Sequence, residues 1–264
     1  MEKHILHKSK HTGLLEREEH DYVLKNVKEP ELYRGIFDYD RVPKVVFNDR
    51  KVPMNPADEW WITDTTFRDG QQSSAPLSVK QIVDIYKLMN KLGGKNGLIR
   101  ASEFFLYSEK DKQAVKACME LGLEFPEITS WIRADEKDFK LVKDMHIKET
   151  GILVSCSDYH IYKKMKLDRQ SALDKYLAIV KSALDNGIVP RCHFEDITRA
   201  DFYGFVVPFA YELMRLSEEY ATPVKIRACD TLGYGVTYPG SALPRSVPGI
   251  IYGLNYYAGI PSEW

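Results

Sequence analysis

The sequence lacks two features that would place it in a special class of protein, an excess of charge and a long apolar run. Its 264 residues carry a net charge of -1 and contain no basic stripe. Phosphate binding depends on clustered Lys and Arg, so this argues against nucleic acid as a partner. No apolar run reaches the ~18 residues that a membrane-spanning helix needs. We therefore expect neither a nucleic-acid nor a membrane partner.

Paired cysteines are also missing. The four cysteines, Cys118, Cys156, Cys192 and Cys229, are widely spaced and form no C-x-x-C pair. This spacing fits reduced thiols in an intracellular enzyme better than disulfides or a structural zinc site. The first residues, MEKHILHKSKHTG, lack the apolar core of a signal peptide. We therefore expect a cytoplasmic protein.

The segment 60–72, WWITDTTFRDGQQ, is the most informative stretch that is present. Its apolar start predicts a buried strand, and its end is crowded with hydroxyl, carboxylate and guanidinium groups. Arg68 and Asp69 lie on opposite sides of an extended backbone and side by side only if the chain turns. Gly70 permits that turn. The segment therefore predicts a strand whose end is used for chemistry.

From residue 60 onward, strand-like and helix-like segments alternate. Six βα units in about 200 residues are typical of a TIM barrel or another parallel α/β sheet. The first predicted strand begins at residue 60. The other five cover 97–107, 125–132, 151–160, 189–197 and 224–232. The predicted helices cover 78–92, 109–121, 135–145, 169–186, 202–220 and 241–258. Residues 1–57 are predicted to form an N-terminal arm, and residues 58–264 an incomplete (β/α)8 catalytic barrel.

Polar residues gather at the carboxyl end of every predicted strand. In parallel α/β folds ligands bind at that edge, which points to one active site. An open doubly wound sheet would concentrate such groups at one switch point, so a contribution from all six strands favours a barrel. The residues are Arg68, Asp69, Glu103, Thr129, Ser130, Ser157, Asp158, His160, His193, Glu195, Asp196, Asp230 and Thr231.

The string DTTFRDGQQ at 64–72 resembles the signature of the DRE-TIM metallolyase superfamily, in its branch of isopropylmalate, homocitrate, citramalate and Re-citrate synthases. The later strings SDYH, EDITR and DTLGY are similar to the motifs of the fourth, fifth and sixth strands of these enzymes. The longer strings EFFLYSEKD, HFEDITRADFYGF and IRACDTLGYGV resemble the Re-citrate synthase group most. The resemblance covers residue 60 to the end of the chain.

The resemblance implies a (β/α)8 barrel that joins acetyl-CoA to a 2-oxo acid by a metal-dependent Claisen condensation. Oxaloacetate, giving citrate, is the first expected substrate, and 2-isopropylmalate, homocitrate or citramalate are other expected products. The expected cofactor is a divalent ion, Mg, Mn, Co or Zn, with acetyl-CoA as co-substrate. A homodimer is expected. The implied site residues are Arg68, Glu195 and His160 for catalysis, Glu103, Thr231 and Gln72 for substrate, and Asp69 for metal.

Several of these residues have a structural alternative. Arg68 and Asp69 could be an ordinary ion pair at a strand end. Glu103 is costly to bury alone and could pair with Arg100 or Arg133. His160 could begin a helix, and Thr231 could cap a turn. An acyl-CoA lyase of the hydroxymethylglutaryl-CoA lyase type and an inactive barrel fragment are the competing functions.

Members of the superfamily complete the metal site with a His-x-His pair after the seventh strand. None of the seven histidines here has another histidine two residues away. We therefore expect a chain truncated before that motif, with about six of eight βα units. An incomplete barrel would also leave the edge of the sixth strand open.

Overall fold

The computed structural model describes residues 6–8, 15–17, 22–34, 58–73, 75–133, 135–237 and 241–264. In these residues a short antiparallel pair is followed by a six-stranded sheet in sequence order, β3 to β8. The pairs β3 with β4, β4 with β5, and β5 with β6 are parallel. The strands are β1 (Leu6–Lys8), β2 (Leu15–Arg17), β3 (Ile62–Asp64), β4 (Ile99–Phe104), β5 (Glu127–Ile132), β6 (Glu149–Ser155), β7 (Val189–Glu195) and β8 (Lys225–Ala228).

A helix follows each strand of the larger sheet. These helices are α1 (Val79–Gly93), α2 (Glu109–Met119), α3 (Phe139–Asp144), α4 (Arg169–Asp185), α5 (Val207–Tyr220) and α6 (Val247–Ala258). A strand order that follows the sequence, with a helix after every strand, is the repeat of a (β/α)8-type barrel. The described residues contain six of its eight units, as predicted.

Helix α1 shows how local sequence sets these boundaries. The Ser78 hydroxyl accepts the N–H of Gln81, and the Gln81 side chain accepts the N–H of Ser78, which is a complete capping box. Gly94 ends the helix with a φ of 65°, a conformation that glycine adopts without strain. The helix predicted over 78–92 is confirmed to within one residue at each end.

The chain divides into two compact units. Unit 1 comprises Met1–Asn55, Val154–Ala178 and His193–Trp264, and unit 2 comprises Pro56–Leu153 and Ile179–Cys192. In unit 2, the buried ring of Phe104 stacks on Phe67 at 4.8 Å between centroids. In unit 1, Phe194 stacks on Phe209 at 4.9 Å, with the rings within 8° of parallel. Each unit therefore has its own aromatic core.

The prediction of a buried strand starting at Trp60 is wrong for its first residues. Strand β3 begins at Ile62, and the exposed fractions are 72% for Trp60, 50% for Trp61 and 50% for Ile62. The reason is that β3 is an edge strand in the described part of the chain and pairs only with β4. Apolar character alone does not distinguish an edge strand from a buried one.

The predicted end of the fourth strand is also wrong, because a π-helical turn occurs there. Strand β6 ends at Ser155 instead of reaching His160, and Tyr159–Lys164 forms a π-helical turn. The helix predicted over 202–220 has these bounds, and its first part, Phe202–Val206, is a second π-helical turn before α5. Such turns are rare and occur frequently at functional sites.

The cysteines are free, as predicted: Cys118, Cys156 and Cys192 are buried and Cys229 is half-buried. Burial raises the pKa of the Cys118 thiol to about 11, which keeps it protonated and unreactive. None of the described helices is long and apolar enough to span a membrane. The edge of β8 is partly covered, because the N–H of Ile226 donates to the backbone oxygen of Trp264 (3.3 Å).

Candidate active site

The residues after β3 form a tight turn in unit 2. The backbone N–H groups of Arg68, Asp69 and Gly70 all point at the backbone oxygen of Thr65, at 3.1, 2.7 and 3.2 Å. Asp64 supports the turn by accepting the hydroxyl and N–H of Thr66, at 2.6 and 3.1 Å. The turn that Gly70 was expected to permit therefore exists, and it brings Arg68 and Asp69 side by side.

The guanidinium of Arg68 is held from three directions. Its Nε donates to Glu103 Oε1 (2.8 Å), and its Nη1 donates to Asp69 Oδ1 (2.9 Å). Its central carbon lies 5.4 Å from the centre of the Trp131 ring, in a cation–π contact. We call Arg68, Asp69, Glu103 and Trp131 the Arg68 cluster.

Glu103 is 1% exposed, so its carboxylate needs a charged partner. The structure supplies Arg68, whereas the alternatives considered were Arg100 and Arg133. Arg100 lies over the rings of Trp61 and Phe125, at 4.2 and 4.4 Å. Arg133 pairs with Asp138 instead. Because β4 lies beside β3 in the parallel sheet, the residue near its carboxyl end is close to the turn that follows β3.

The guanidinium of Arg68 has one nitrogen, Nη2, to which an anionic ligand could bind. Two of the guanidinium nitrogens are engaged by carboxylates, and Nη2 has no hydrogen bond to any residue that the structure describes. The side chain of Arg68 is 14% exposed, so this cation is largely withdrawn from water yet reachable. A fixed, permanently charged donor of this kind stabilises an oxyanion without having to reorganise.

Asp69 and Gln72 are more exposed. The side chain of Asp69 is 59% exposed, and it lines a shallow depression together with Asp64, Thr65 and Gly70. Gln72 lies exposed in the short 3-10 turn Gly70–Gln72, and its N–H donates to the backbone oxygen of Asp69 (3.0 Å). Within the described ranges, no group of three His, Cys, Asp or Glu residues is arranged to hold a metal ion. Asp69 can thus supply one metal ligand, but the described donor set does not by itself fit a metal ion.

A second cluster lies in unit 1, where β6 and β7 end. His160 Nδ1 lies 2.9 Å from Glu195 Oε2, which also accepts the hydroxyl of Ser155. Lys164 Nζ is 3.4 Å from both oxygens of Glu195. The ring of His160 reaches Glu195 because the π-helical turn places it directly after β6. We call Ser155, His160, Lys164 and Glu195 the His160 cluster.

The environment of Glu195 fixes its charge. Burial acts to raise the pKa of the Glu195 carboxyl, but the hydrogen bonds from His160 and Ser155 and the charges of His160 and Lys164 outweigh it. The net result is a pKa of about 2. Glu195 therefore stays ionised under physiological conditions and can orient the imidazole through Nδ1, while Nε2 lies 3.8 Å from Oδ2 of the buried Asp196.

The residues that follow Glu195 form a rigid polar support. Asp196 is wholly buried in the left-handed region with a φ of 62°, and its carboxylate accepts hydrogen bonds from Arg199 and Ser157. The hydroxyl of Thr231 accepts the N–H of Asp196 (2.8 Å). This contact supports the structural alternative for Thr231. Its side chain is exposed, so it can also contact a ligand.

Sequence reasoning missed Trp131, Ser155 and Lys164. Trp131 and Ser155 lie at the carboxyl ends of β5 and β6, so the rule that identified Glu103 applies to them as well. They were passed over because an aromatic ring and a single hydroxyl resemble core residues. Lys164 had no signal, because only the π-helical turn brings it to Glu195.

Comparison with known proteins identifies the family of the chain. Residues 60–242 match the model of the HMGL-like family. The chain is 59% identical, over 92% of its length, to "Citrate (Re)-synthase" from Clostridium kluyveri, covering 54% of that protein. It is 56% identical, over 92% of its length, to "Citrate (Re)-synthase" from Syntrophus aciditrophicus, covering 39% of it.

A more distant relative is "2-phosphinomethylmalate synthase" from Streptomyces hygroscopicus, 37% identical over 91% of this chain and 56% of that protein. The chain thus spans about half the length, or less, of these relatives. The family match covers more than half of the chain and includes the turn at Arg68 and the His160 cluster. The chain belongs to the HMGL-like family, as the motif at 64–72 predicted.

Proposed function

We propose that the protein is an acyl-CoA:2-oxo acid C-acyltransferase. It would join the methyl carbon of acetyl-CoA to the ketone carbon of a 2-oxo acid and release the CoA thiol after hydrolysis of the thioester. Oxaloacetate, giving citrate, is the first substrate we propose, because the relatives at 56–59% identity carry the name citrate (Re)-synthase. A 2-oxo acid leading to 2-isopropylmalate, homocitrate or citramalate is the alternative within the same chemistry.

The observation that carries this proposal is the arrangement of Arg68. A Claisen condensation develops negative charge on oxygen twice, in the enolate and in the ketone that it attacks. Arg68 offers a largely desolvated guanidinium whose Nε and Nη1 are fixed by carboxylates and whose Nη2 is available. We assign it the stabilisation of these oxyanions, a contribution worth about 10²- to 10³-fold in rate for a single donor in other enzymes.

Glu103 supports the role of Arg68. It is the buried carboxylate that holds Nε at 2.8 Å, so it sets the direction in which Nη2 points. We propose that Glu103 also lies against the substrate. For Gln72 and Thr231, exposure of the side chain is compatible with contact to a substrate, and contact is what we propose for both.

The His160 cluster is suited to moving a proton. Glu195 stays ionised and holds Nδ1, which orients the ring and leaves Nε2 to accept or donate. A carboxylate that orients a histidine in this way is the arrangement used in several unrelated hydrolases. We therefore propose His160 as the proton carrier and Glu195 as the residue that orients it and stabilises its charged form.

We propose a divalent ion, Mg, Mn, Co or Zn, as cofactor, with Asp69 as one of its ligands. When bound, such an ion would act as a Lewis acid on the 2-oxo acid. The exposed carboxylate of Asp69 supports this role, but its partner Arg68 competes for Oδ1. A lyase acting in the reverse direction could use the same groups, but the names of the relatives favour a synthase.

The test is a thiol-release assay with the full-length protein and acetyl-CoA. Oxaloacetate, 2-oxoglutarate, 2-oxoisovalerate and pyruvate are compared, and we expect the fastest release with oxaloacetate. Dialysis against a chelator should abolish release, and a divalent ion should restore it. Asp69→Ala should lose both activity and restoration, whereas Asp84→Ala, which removes an exposed carboxylate paired with Lys80, should behave as wild type. Absence of release with all four acids would refute the proposal.

A further inference from the structure

A buried arginine outside both clusters joins distant parts of unit 1. Arg169, the first residue of α4, is 0% exposed. Its Nε and Nη2 donate to the two carboxylate oxygens of Asp158, at 2.9 and 2.7 Å. Its Nη1 donates to Asp201 Oδ2 (2.9 Å) and to the backbone oxygen of Lys25 (3.0 Å). A cation at a helix N-terminus is disfavoured by the helix dipole, so these acceptors are needed to hold it there.

Residues 22–34 of the N-terminal arm are fixed to the same region. They reach the two π-helical turns and the residue before the first of them. The contacts are hydrogen bonds from Glu31 N–H to Asp158, from Tyr162 hydroxyl to Val27 oxygen (2.6 Å), from Lys25 N–H to Gly204 oxygen (3.1 Å), and from Arg34 Nε to Tyr159 hydroxyl (2.9 Å). The arm and Arg169 therefore share Asp158 as a common partner.

This network lies next to the His160 cluster along the chain. Asp158 precedes the turn Tyr159–Lys164, and His160 is only two residues beyond it. The N–H of His160 donates to the backbone oxygen of Ser157 (3.0 Å), so the position of Asp158 and the orientation of the histidine are coupled through one short segment. Asp201 lies six residues after Glu195, at the start of the second turn, and accepts the N–H of Gly204 (2.8 Å). Arg169 thus links the residue two positions before His160 to the segment that follows Glu195.

We propose that Arg169 is a positioning residue for His160. Through Asp158 it fixes the π-helical turn that presents the imidazole to Glu195, and residues 25–31 of the arm complete the network. This proposal rests on the proposed function only in giving His160 a part in turnover. The positioning of the ring by Arg169 does not depend on it. It assigns the arm a role in the site, which neither composition nor motif had suggested.

The shape of the guanidinium is what makes this role specific. Its planar fork meets Asp158 with two parallel hydrogen bonds while Nη1 reaches Asp201 and the arm. A lysine would keep the charge and bind one of these acceptors at a time. Arg169→Lys is therefore a test of geometry in which the charge of the network is unchanged.

The experiment compares Arg169→Lys with Arg191→Lys. Arg191 is the matched control, because it also pairs with a carboxylate, Glu149 at 2.6 Å, but lies in unit 2 on β7. The ring nitrogens of His160 are followed by NMR in the chain without substrate, with His160→Gln as the variant that assigns the signals. Amide hydrogen exchange at Glu31 reports the attachment of the arm.

In Arg169→Lys we expect shifted or doubled ring signals of His160 and exchange at Glu31 that is at least ~10-fold faster, the change that corresponds to losing one charge-assisted hydrogen bond. Arg191→Lys should match wild type in both measurements. Unchanged His160 signals in a folded Arg169→Lys protein would overturn the proposal, and so would equal changes in the control. If Arg169→Lys does not fold, Tyr162→Phe decides, since it removes only the arm hydrogen bond to Val27 and should still perturb the His160 ring.

Turnover separates this proposal from the proposed function. If the role of His160 is right, Arg169→Lys in the full-length protein should lower kcat for thiol release more than it raises the KM for acetyl-CoA. If His160→Gln leaves thiol release unchanged, the proposed function of His160 fails, while the NMR comparison still decides whether Arg169 positions the ring.

Discussion

The Arg68 cluster and the His160 cluster each place a poorly exposed glutamate beside a basic side chain, but the two side chains differ. Arg68 keeps its charge at every pH that a protein survives, so Glu103 holds a permanent donor in one direction. His160 is an imidazole whose Nδ1 lies 2.9 Å from Glu195 Oε2, so Glu195 holds a ring instead of a guanidinium. The same carboxylate chemistry thus holds a permanent cation in unit 2 and an imidazole in unit 1.

The largest expected effect tests the fixed charge. Arg68→Lys keeps the charge but cannot reach Glu103, Asp69 and a substrate oxygen together. We expect thiol release by the full-length protein to fall about 10²- to 10³-fold, because a lost oxyanion donor has that effect in other enzymes. The measurement is steady-state thiol release with acetyl-CoA and oxaloacetate.

Arg133→Lys is the control for Arg68→Lys. Arg133 also pairs with a carboxylate, Asp138, and also contacts an aromatic ring, that of Tyr107, but its side chain is 66% exposed. We expect activity close to wild type in this control. Near-normal turnover in Arg68→Lys would show that Arg68 is a structural ion pair.

A smaller effect tests the carboxylate that holds the imidazole, Glu195. The pKa of Glu195 is about 2 in the folded chain against 4.5 for the free group, so between these values the unfolded chain binds more protons. The stabilisation from Glu195 is therefore present above pH 4.5 and is lost as the pH falls toward 2. From about pH 5 to about pH 3, the free energy of unfolding should fall by about 2 kcal/mol more in wild type than in Glu195→Gln.

Urea unfolding at several pH values measures this difference. Glu212→Gln is the control, because Glu212 pairs with Arg215 at the surface and contributes little. The control should follow the wild-type pH profile. If Glu195→Gln also follows that profile, the carboxyl titrates normally and the His160 ring is not held by a permanent anion.

The smallest expected effect concerns Thr231. Its hydroxyl accepts the N–H of the buried Asp196, so Thr231→Val should lower the free energy of unfolding by about 1 kcal/mol. Thr231→Ser keeps the acceptor and should be as stable as wild type. If the KM for the 2-oxo acid is unchanged in Thr231→Ser but changed in Thr231→Val, the hydroxyl contacts the substrate. Equal KM values in wild type and both variants would show that the hydroxyl has only a structural role in the turn.

Periodicity and strand-end chemistry predicted much of this molecule. The six βα units follow from alternating apolar segments with turn residues between them, and the bounds of α1 differ by one residue at each end from the predicted 78–92. The grouping of Arg68 with Asp69 needed only a turn at Gly70. These features depend on residues close together in sequence, which local patterns report reliably.

Contacts between distant residues could not be predicted in the same way. Glu103 meets Arg68 across 35 positions, and several cations near a buried carboxylate are equally plausible from sequence alone. The π-helical turn at Tyr159–Lys164 has no sequence signal that distinguishes it from an ordinary loop. The attachment of residues 22–34 to Arg169 depends on backbone oxygens, which carry no side-chain signature.

The exposed start of β3 has an optical consequence. Trp60 and Trp61 are two of the four tryptophans, and their side chains are exposed, Trp61 on the part that Arg100 leaves uncovered, where the strand has no second neighbour in the described residues. Indole emission moves to shorter wavelength when water is removed from the ring. Any polypeptide that pairs with this edge would therefore shift the intrinsic fluorescence toward the blue, so the chain carries its own spectroscopic probe for whatever covers its first barrel strand.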